Sequence, residues 1–134
     1  MISKNNYLFI IAEYYIYKTD KYLNLIKQNS IYTPKGIYSN SNSNYLYVVS
    51  NYYNRIYQFD MNLNLISFFQ IESSYSFQTI NSNNNKLYIG CYGGQILVVE
   101  NQVVVQTFKG CNGDYDYITS IAFDQYGYMA TTCY

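Results

Sequence analysis

Histidine is absent from the 134 residues of the sequence. This absence excludes nucleophiles activated by an imidazole, and it excludes metal sites built on imidazole ligands. Eight Lys and Arg residues balance eight Asp and Glu residues, so we expect no basic surface for a nucleic acid or an anionic membrane. The apolar run Tyr7–Ala12 is too short for a transmembrane segment, which takes about 18 apolar residues. Nucleic acids and membranes are therefore not expected as partners.

Cysteine is scarce as well, since only Cys91, Cys111 and Cys133 are present, with no C-x-x-C motif. An odd number excludes a complete set of intramolecular disulfides, and the wide spacing does not fit a metal site. The sequence therefore predicts reduced cysteines that pack as small apolar residues. It also lacks any N-x-[ST] sequon, and both features favour a cytoplasmic location. No metal ion or other cofactor is predicted.

Tyrosine is the residue that the sequence has in excess. With 20 Tyr and 7 Phe, 49% of the residues are hydrophobic, which is too apolar a composition for a disordered chain. The length allows one domain with a core of its own.

The sequence repeats with a period of about 41 residues. Leu46-Tyr47-Val48 matches Leu87-Tyr88-Ile89 one period later. Three further sets of similar residues recur at nearly the same interval along the sequence. They are Ile16, Ile56 and Ile96; Asp20, Asp60 and Glu100; and Leu23, Leu63 and Val103. Several sets of residues that recur with one period indicate a repeat architecture, and repeats of this length are typical of β-propeller blades.

Each period contains four short runs rich in Tyr, Ile, Val and Phe, separated by Asn, Ser, Gly and Asp. The first set of residues favours strands and the second favours tight turns. No window shows the apolar spacing of a capped helix. We therefore predict an all-β fold of four-stranded antiparallel sheets, the blades of a β-propeller, with strands A to D in each. The recurring acidic residues Asp20, Asp60 and Glu100 fall in turns between strands C and D, where they are expected to stabilise the turn rather than bind a ligand.

The second repeat carries a recognisable pattern. It has Pro34-Lys35-Gly36-Ile37 at strand A, Leu46-Tyr47-Val48 at strand B and Asn54-Arg55-Ile56-Tyr57-Gln58-Phe59-Asp60 at strand C. These segments resemble the NHL-type propeller repeat and, nearly as well, the YVTN type. The other repeats lack the Arg-Ile pair, and none has the Gly-His or Trp-Asp pairs of WD40 repeats. The resemblance implies the propeller fold, whereas the functions of such propellers are too diverse to transfer.

The predicted strands begin with strand B at residues 7–12 and end with another strand B at residues 128–133. They give about three blades in one domain, with a partial blade over 1–30, blades over 31–71 and 72–110, and a partial blade over 111–134. Propeller rings typically have about four to eight blades, so three blades cannot close a ring, and we expect the chain to form half of a six-bladed ring. Either a homodimer completes the ring, with the C-terminal strands of one copy completing the opening blade of the other, or the sequence is a fragment of a larger propeller.

The candidate binding residues lie in predicted loops. Tyr52, Tyr53 and Tyr92 fall in B–C turns, which share one face of a propeller, and tyrosine combines a rigid apolar ring with a polar tip. Arg55 follows one of these turns and is a candidate for recognising a carboxylate.

A second candidate segment, Asp114-Tyr115-Asp116, follows the glycine-containing loop 110–113. Two carboxylates on such a loop are able to bind Ca²⁺, although the spacing does not match an EF-hand loop. A solvated turn is the simpler expectation.

Together these features predict a non-catalytic scaffold that self-associates and binds a protein or a glycan through its loop faces. The alternative class is a metal-dependent enzyme, since the resemblance includes six-bladed propellers with metal-dependent hydrolase or lyase activity. The absence of histidine and the location of the acidic residues in turns argue against that class, and no catalytic residue is predicted.

Overall fold

The computed structural model describes residues 1–134 and contains only β-strands as regular elements. The strands form three four-stranded sheets and one two-stranded sheet, in which neighbours in the sheet are neighbours in sequence. In chain order they are β1 (Ile2–Lys4), β2 (Tyr7–Ala12), β3 (Tyr15–Asp20), β4 (Leu25–Ser30), β5 (Pro34–Tyr38), β6 (Tyr45–Ser50), β7 (Arg55–Asp60), β8 (Leu65–Gln70), β9 (Phe77–Asn83), β10 (Lys86–Cys91), β11 (Gln95–Glu100), β12 (Val103–Lys109), β13 (Ile118–Phe123) and β14 (Met129–Cys133). No helix that could span a lipid bilayer is present.

The four sheets follow one another along the chain. Sheets 1, 2 and 3 consist of β1–β4, β5–β8 and β9–β12, and sheet 4 is the hairpin β13–β14. Every pairing is antiparallel. The four-stranded antiparallel sheets predicted from the repeats are therefore present.

Sheet 1 has all four strands, so the prediction that the chain begins at strand B and that residues 1–30 form a partial blade was wrong. The short strand β1 pairs with β2, with Ile2 opposite Phe9 and Lys4 opposite Tyr7. Because this innermost strand is already in place, the opening blade needs no strand from a partner. The two-stranded sheet 4 is the only incomplete one.

Asp20 and Asp60 stabilise their turns, as the sequence predicted, whereas Glu100 makes no hydrogen bond in its turn and instead pairs with Lys86 at 3.7 Å. Between β7 and β8, Asp60 Oδ1 accepts hydrogen bonds from the backbone N–H groups of Asn62 and Asn64, each at 2.8 Å. The other carboxylate oxygen accepts from Asn64 Nδ2 at 2.8 Å. These bonds lower the pKa of Asp60, with the backbone N–H of Asn64 as the largest cause. Asp20 makes the same three bonds in the turn between β3 and β4.

The core lies between the faces of adjacent sheets rather than within one sheet. Each cluster combines residues from two consecutive sheets, as expected when half-buried sheets cover one another. The cluster between sheets 1 and 2 contains Phe9, Ile16, Ile31, Leu46, Val48, Phe59 and Leu63. The cluster between sheets 2 and 3 includes Val49, Ile56, Ile71, Ile89 and Cys91, and the one between sheets 3 and 4 contains Ile96, Cys111, Ile118 and Ile121. The repeated isoleucines Ile16, Ile56 and Ile96 thus occupy one structural position and are all fully buried.

The first strands of sheets 2 and 3 approach one another closely. A Cβ atom at Gly36 in β5 would lie 2.8 Å from Thr79 Cα in β9, nearer than any side chain tolerates. The glycine of the Pro34-Lys35-Gly36-Ile37 segment is therefore required by the packing of two backbones.

Cys111 and Cys133 form a disulfide, and Cys91 is the one free cysteine. The prediction of three reduced cysteines was therefore wrong, although the odd number does leave one unpaired. The bond joins the loop after β12 to the end of β14 and so fastens sheet 4 to sheet 3. Because disulfides persist mainly in oxidising compartments, the cysteines no longer favour a cytoplasmic location.

In sheets 2, 3 and 4 the last residue of the second strand has a different role in each sheet. In sheet 2 this residue is Ser50, whose hydroxyl donates to the Tyr32 carbonyl at 2.5 Å. In sheet 3 it is Cys91, which is fully buried in the cluster that also contains Ile71. In sheet 4 it is Cys133 of the disulfide. One structural position thus joins neighbouring sheets by a hydrogen bond, by apolar packing and by a covalent bond.

Candidate functional site

One end of the sheets carries a concentration of tyrosines. Because the strands alternate in direction, the turns between second and third strands lie at the same end as the connections from one sheet to the next. We call this end the tyrosine face. Half of the 20 tyrosines belong to its loops or adjoin them: Tyr14, Tyr15, Tyr32, Tyr52, Tyr53, Tyr75, Tyr92, Tyr115, Tyr117 and Tyr134.

Four of these rings form a continuous row across sheets 1 and 2, which we call the tyrosine row. Its ring centroids are 5.4 Å apart between Tyr14 and Tyr32, 4.4 Å between Tyr32 and Tyr52, and 4.2 Å between Tyr52 and Tyr53. Neighbouring planes are tilted by 43° to 56°. Each residue is between 40% and 58% exposed, so the row is a contiguous aromatic surface in contact with solvent.

Ser50 holds the middle of the row in place. Its hydroxyl donates to the Tyr32 carbonyl and accepts from the Tyr52 N–H at 3.1 Å. The turn then continues through Tyr53 and Asn54, both in the left-handed region with φ of 55° and 48°. Asn54 Nδ2 donates to the Ser73 carbonyl at 2.9 Å and anchors this turn to the next connection. The aromatic side chains are thus carried by a hydrogen-bonded loop.

Arg55 lies at the end of the row. Its guanidinium carbon is 5.4 Å from the centroid of the Tyr53 ring and 5.0 Å from that of Phe68. The Nε atom is buried without a hydrogen-bond partner. The two ion pairs of the structure are Lys86–Glu100 and Lys109–Asp114, so the Arg55 charge is held by aromatic rings alone.

A shallow depression of about 440 Å³ adjoins the other end of the row. It is lined by Tyr14, Tyr15, Ser30, Ile31 and Tyr32. The row therefore continues at this end into a shallow and mostly aromatic surface.

Tyr92 belongs to a second aromatic group. Its ring stacks on Tyr117 with centroids 6.4 Å apart and planes 17° apart, and Tyr117 contacts Tyr134 at 5.1 Å. No ring pair joins this group to the tyrosine row. The structure therefore brings Tyr52, Tyr53 and Arg55 together but places Tyr92 in a separate group on the same face.

The segment Asp114-Tyr115-Asp116 does not form a cluster with either aromatic group. Asp114 Oδ1 accepts a hydrogen bond from Lys109 Nζ at 2.8 Å, which together with the lysine charge lowers the pKa of Asp114. Asp116 accepts from the Gly113 N–H at 2.9 Å within its own turn. Tyr115 is 83% exposed and has no ring partner. The structure contains no group of three or more His, Cys, Asp or Glu residues that could hold a metal ion.

Sequence reasoning missed Tyr32, which lies at the centre of the row. It follows β4 in the connection to the next sheet, and such connections reach the same face as the turns that carry Tyr14 and Tyr52. The position of Tyr32 on this face could have been predicted, because in a chain of four-stranded antiparallel sheets every second loop lies on the same face.

Solved structures that resemble this chain define the fold as that of β-propeller blades. A protein of unknown function from Bacteroides caccae matches 96% of this chain with a TM-score of 0.78 and 11% identity, over 49% of its own length. The hydrazine synthase of Kuenenia stuttgartiensis matches 91% with a TM-score of 0.73 and 15% identity, over 37% of its length. The Pan2 WD40 domain of Neurospora crassa matches 96% with a TM-score of 0.68 and 5% identity, over 44% of its length.

These likenesses confirm the predicted all-β, propeller-type fold. The chain spans less than half the length of each of the three structures. At these identities the likeness concerns the fold alone, although one of the three proteins is an enzyme. No family model matches the sequence, and no curated protein is similar to it.

Proposed function

We propose that this chain is a non-catalytic propeller scaffold with repeats of the NHL or YVTN type, and that it binds a protein partner through the tyrosine row. The observation that carries the proposal is the unbroken contact of Tyr14, Tyr32, Tyr52 and Tyr53 on an exposed face. Tyrosine and arginine are enriched in protein interfaces and in their energetic hot spots. The motif at Asn54–Asp60 supports the repeat type.

A protein segment suits the row better than a glycan. The rings lean against one another at 43° to 56°, so they form a continuous ridge of edges and hydroxyl groups rather than separate flat platforms. An extended peptide has side chains that pack along such a ridge, and its backbone can accept hydrogen bonds from the phenolic hydroxyls.

The test is selection of peptides from a displayed dodecapeptide library by the intact chain, followed by binding measurements on the variant Tyr32→Ser/Tyr52→Ser. We expect selected peptides to lose at least about tenfold in affinity, since hot-spot tyrosines each contribute about 2 kcal/mol or more. The matched control is Tyr126→Ser/Tyr128→Ser, two tyrosines that are more exposed but lie in the turn at the opposite end. Equal loss in both variants, or a glycan array that yields row-dependent ligands where the peptide library yields none, would contradict the proposal.

We also propose that the chain self-associates through the free face of sheet 1. The strand registers make Leu8, Ile10 and Tyr17 equivalent to Leu46, Val48 and Tyr57 of sheet 2. In sheet 2 this face packs against sheet 1. The same apolar pattern is repeated on sheet 1, which has no neighbour on that side, and a second copy of this chain is the occupant we propose. Two copies would approach the size of the Bacteroides caccae protein, of which one copy spans 49%.

Light scattering of the intact chain tests self-association. We expect a dimer for the wild type and a monomer for Ile10→Lys/Leu23→Asn, in which asparagine also suits the left-handed conformation of residue 23. The control Val103→Asn changes an exposed apolar residue on the outer strand β12 and should remain a dimer. A wild-type chain that stays monomeric at every concentration would contradict the proposed self-association and favour the alternative, a fragment of a larger propeller.

A further inference from the structure

Arg55 is the only arginine of the sequence and has no anionic partner. Its Nε atom is buried and unpaired, and neither ion pair of the structure involves it. The side chain as a whole is half-buried, but a buried donor such as this Nε–H normally has a partner, because an unpaired buried donor costs free energy. The equivalent positions are Tyr15 and Gln95, at the starts of β3 and β11. The charge is therefore a feature of sheet 2 and of no other sheet.

Two aromatic rings flank the guanidinium of Arg55. Tyr53 and Phe68 contact it at 5.4 Å and 5.0 Å from their ring centroids. Aromatic rings hold a guanidinium through its face and leave its edge, with the N–H donors, free to bind oxygen atoms in the same plane. An arginine held in this way is ready to bind an anion without losing further side-chain freedom.

We propose that Arg55 binds a carboxylate side chain of the peptide that lies on the tyrosine row. This inference rests on the proposed function and names the chemical class of its ligand: an acidic segment in which an Asp or Glu side chain reaches Arg55 and apolar side chains pack on Tyr53, Tyr52 and Tyr32. A planar carboxylate accepts two parallel hydrogen bonds from a guanidinium.

The charge of the site favours a carboxylate over a phosphoryl group. Arg55 is the one cation in ring contact with the row, and a carboxylate brings one compensating negative charge. A phosphorylated side chain carries nearly two negative charges at neutral pH and would leave one without a partner.

The experiment uses three dodecapeptide libraries that differ at one fixed central position, which is Glu, Gln or phosphoserine. The probes are the peptides that bind the intact chain in a Tyr32-dependent manner. We expect them to come from the Glu library, to lose about tenfold or more in affinity when their Glu is replaced by Gln, and to lose the same factor on Arg55→Gln. The two changes combined should cost little more than either alone, because they remove the same contact.

The variant Arg55→Lys separates the shape of the guanidinium from its charge. It should recover only part of the lost affinity, since an ammonium group lacks the planar pair of donors. Thermal unfolding of each variant checks that the fold is retained. Tyr32-dependent peptides that are indifferent to Arg55→Gln would overturn this inference and leave the proposed function standing. Absence of any Tyr32-dependent peptide would overturn both, and tighter Arg55-dependent binding from the phosphoserine library would overturn the choice of a carboxylate.

Discussion

Leu23 and Leu63 occupy the same position of the same turn, yet one is exposed and the other is buried. Both lie in the left-handed region, with φ of 68° and 57°, and both N–H groups donate to the carbonyl of the aspartate that opens the turn, Asp20 or Asp60. Leu63 is fully buried against sheet 1, whereas Leu23 is 63% exposed. A leucine in this conformation is strained, and for Leu63 the strain is offset by burial. The exposed Leu23 bears the same strain on the face that we propose is covered by a second copy.

The two leucines give a matched pair of stability predictions. Leu63→Ala should lower the free energy of unfolding by about 2–5 kcal/mol, because it leaves a cavity between sheets 1 and 2. Leu23→Ala should cost less than about 1 kcal/mol, as is usual for a residue in contact with solvent. Urea unfolding over a tenfold range of protein concentration measures both and separates stability from association. Equal costs at low concentration would contradict the packing described here.

Reduction of the Cys111–Cys133 disulfide should destabilise the chain. The bond spans 22 residues, and the loss of a cross-link over a loop of that size costs about 3 kcal/mol in the chain-entropy description. Thermal unfolding with and without a thiol reductant measures the effect. The control is Cys111→Ser/Cys133→Ser, which should be less stable than the oxidised wild type and insensitive to the reductant. A wild type that is indifferent to reductant would disprove this prediction.

Cys91 should be unreactive in the folded chain. The residue is fully buried, and burial raises the pKa of its thiol to about 12, so the reactive thiolate is scarce at neutral pH. We expect iodoacetamide to label no cysteine in the oxidised native chain and one cysteine after unfolding in urea. Mass spectrometry of the labelled peptides identifies the site, and rapid labelling at Cys91 in the native state would be the contrary result.

Acid should weaken the turns that follow β3 and β7. The pKa of Asp20 is lowered chiefly by the hydrogen bond from the Asn24 side chain, and that of Asp60 chiefly by the backbone N–H of Asn64. A lowered folded-state pKa means that the stabilisation is present above the unfolded pKa, near 3.9, and is lost as the pH falls through the folded value. The melting temperature should therefore drop more steeply below about pH 4 in the wild type than in Asp20→Asn/Asp60→Asn.

A control for this pH effect is Glu13→Gln. The Glu13 carboxylate makes no hydrogen bond, so its replacement should leave the decrease of the melting temperature at low pH unchanged. If the control and the double variant shift the curve equally, the turns are not the cause.

Much of the fold could be predicted from the sequence because its determinants are local. Alternating apolar residues such as those of Tyr45–Ser50 form strands wherever one face is covered, and Asp60 with Asn64 closes a turn through bonds within five residues. The repeat of Ile16, Ile56 and Ile96 could also be recognised from the sequence, because these residues recur at a constant spacing. Strand β1 was missed because three residues are too few to show alternation, and it is defined only by its pairing with β2.

The site was predictable only in part. Tyr52, Tyr53 and Arg55 are close in sequence, so their proximity follows from one turn. Tyr14 and Tyr32 join them because sheet 2 packs on sheet 1. Tyr92 contacts Tyr117 instead, because the turn that carries Tyr92 lies beside the segment leading into sheet 4. The pairing of Cys111 with Cys133 likewise depends on how the hairpin β13–β14 sits on sheet 3.

The sequence by itself determined the strands other than β1, their order and the chemistry of most turns, because these depend on neighbours a few residues apart. The tertiary structure decided which copy of a repeated residue is buried, which rings touch and which cysteines bond. Identical turns at Leu23 and Leu63 make the reason plain: a side chain is buried by the surface placed against it, and that surface belongs to a distant part of the chain or to another molecule.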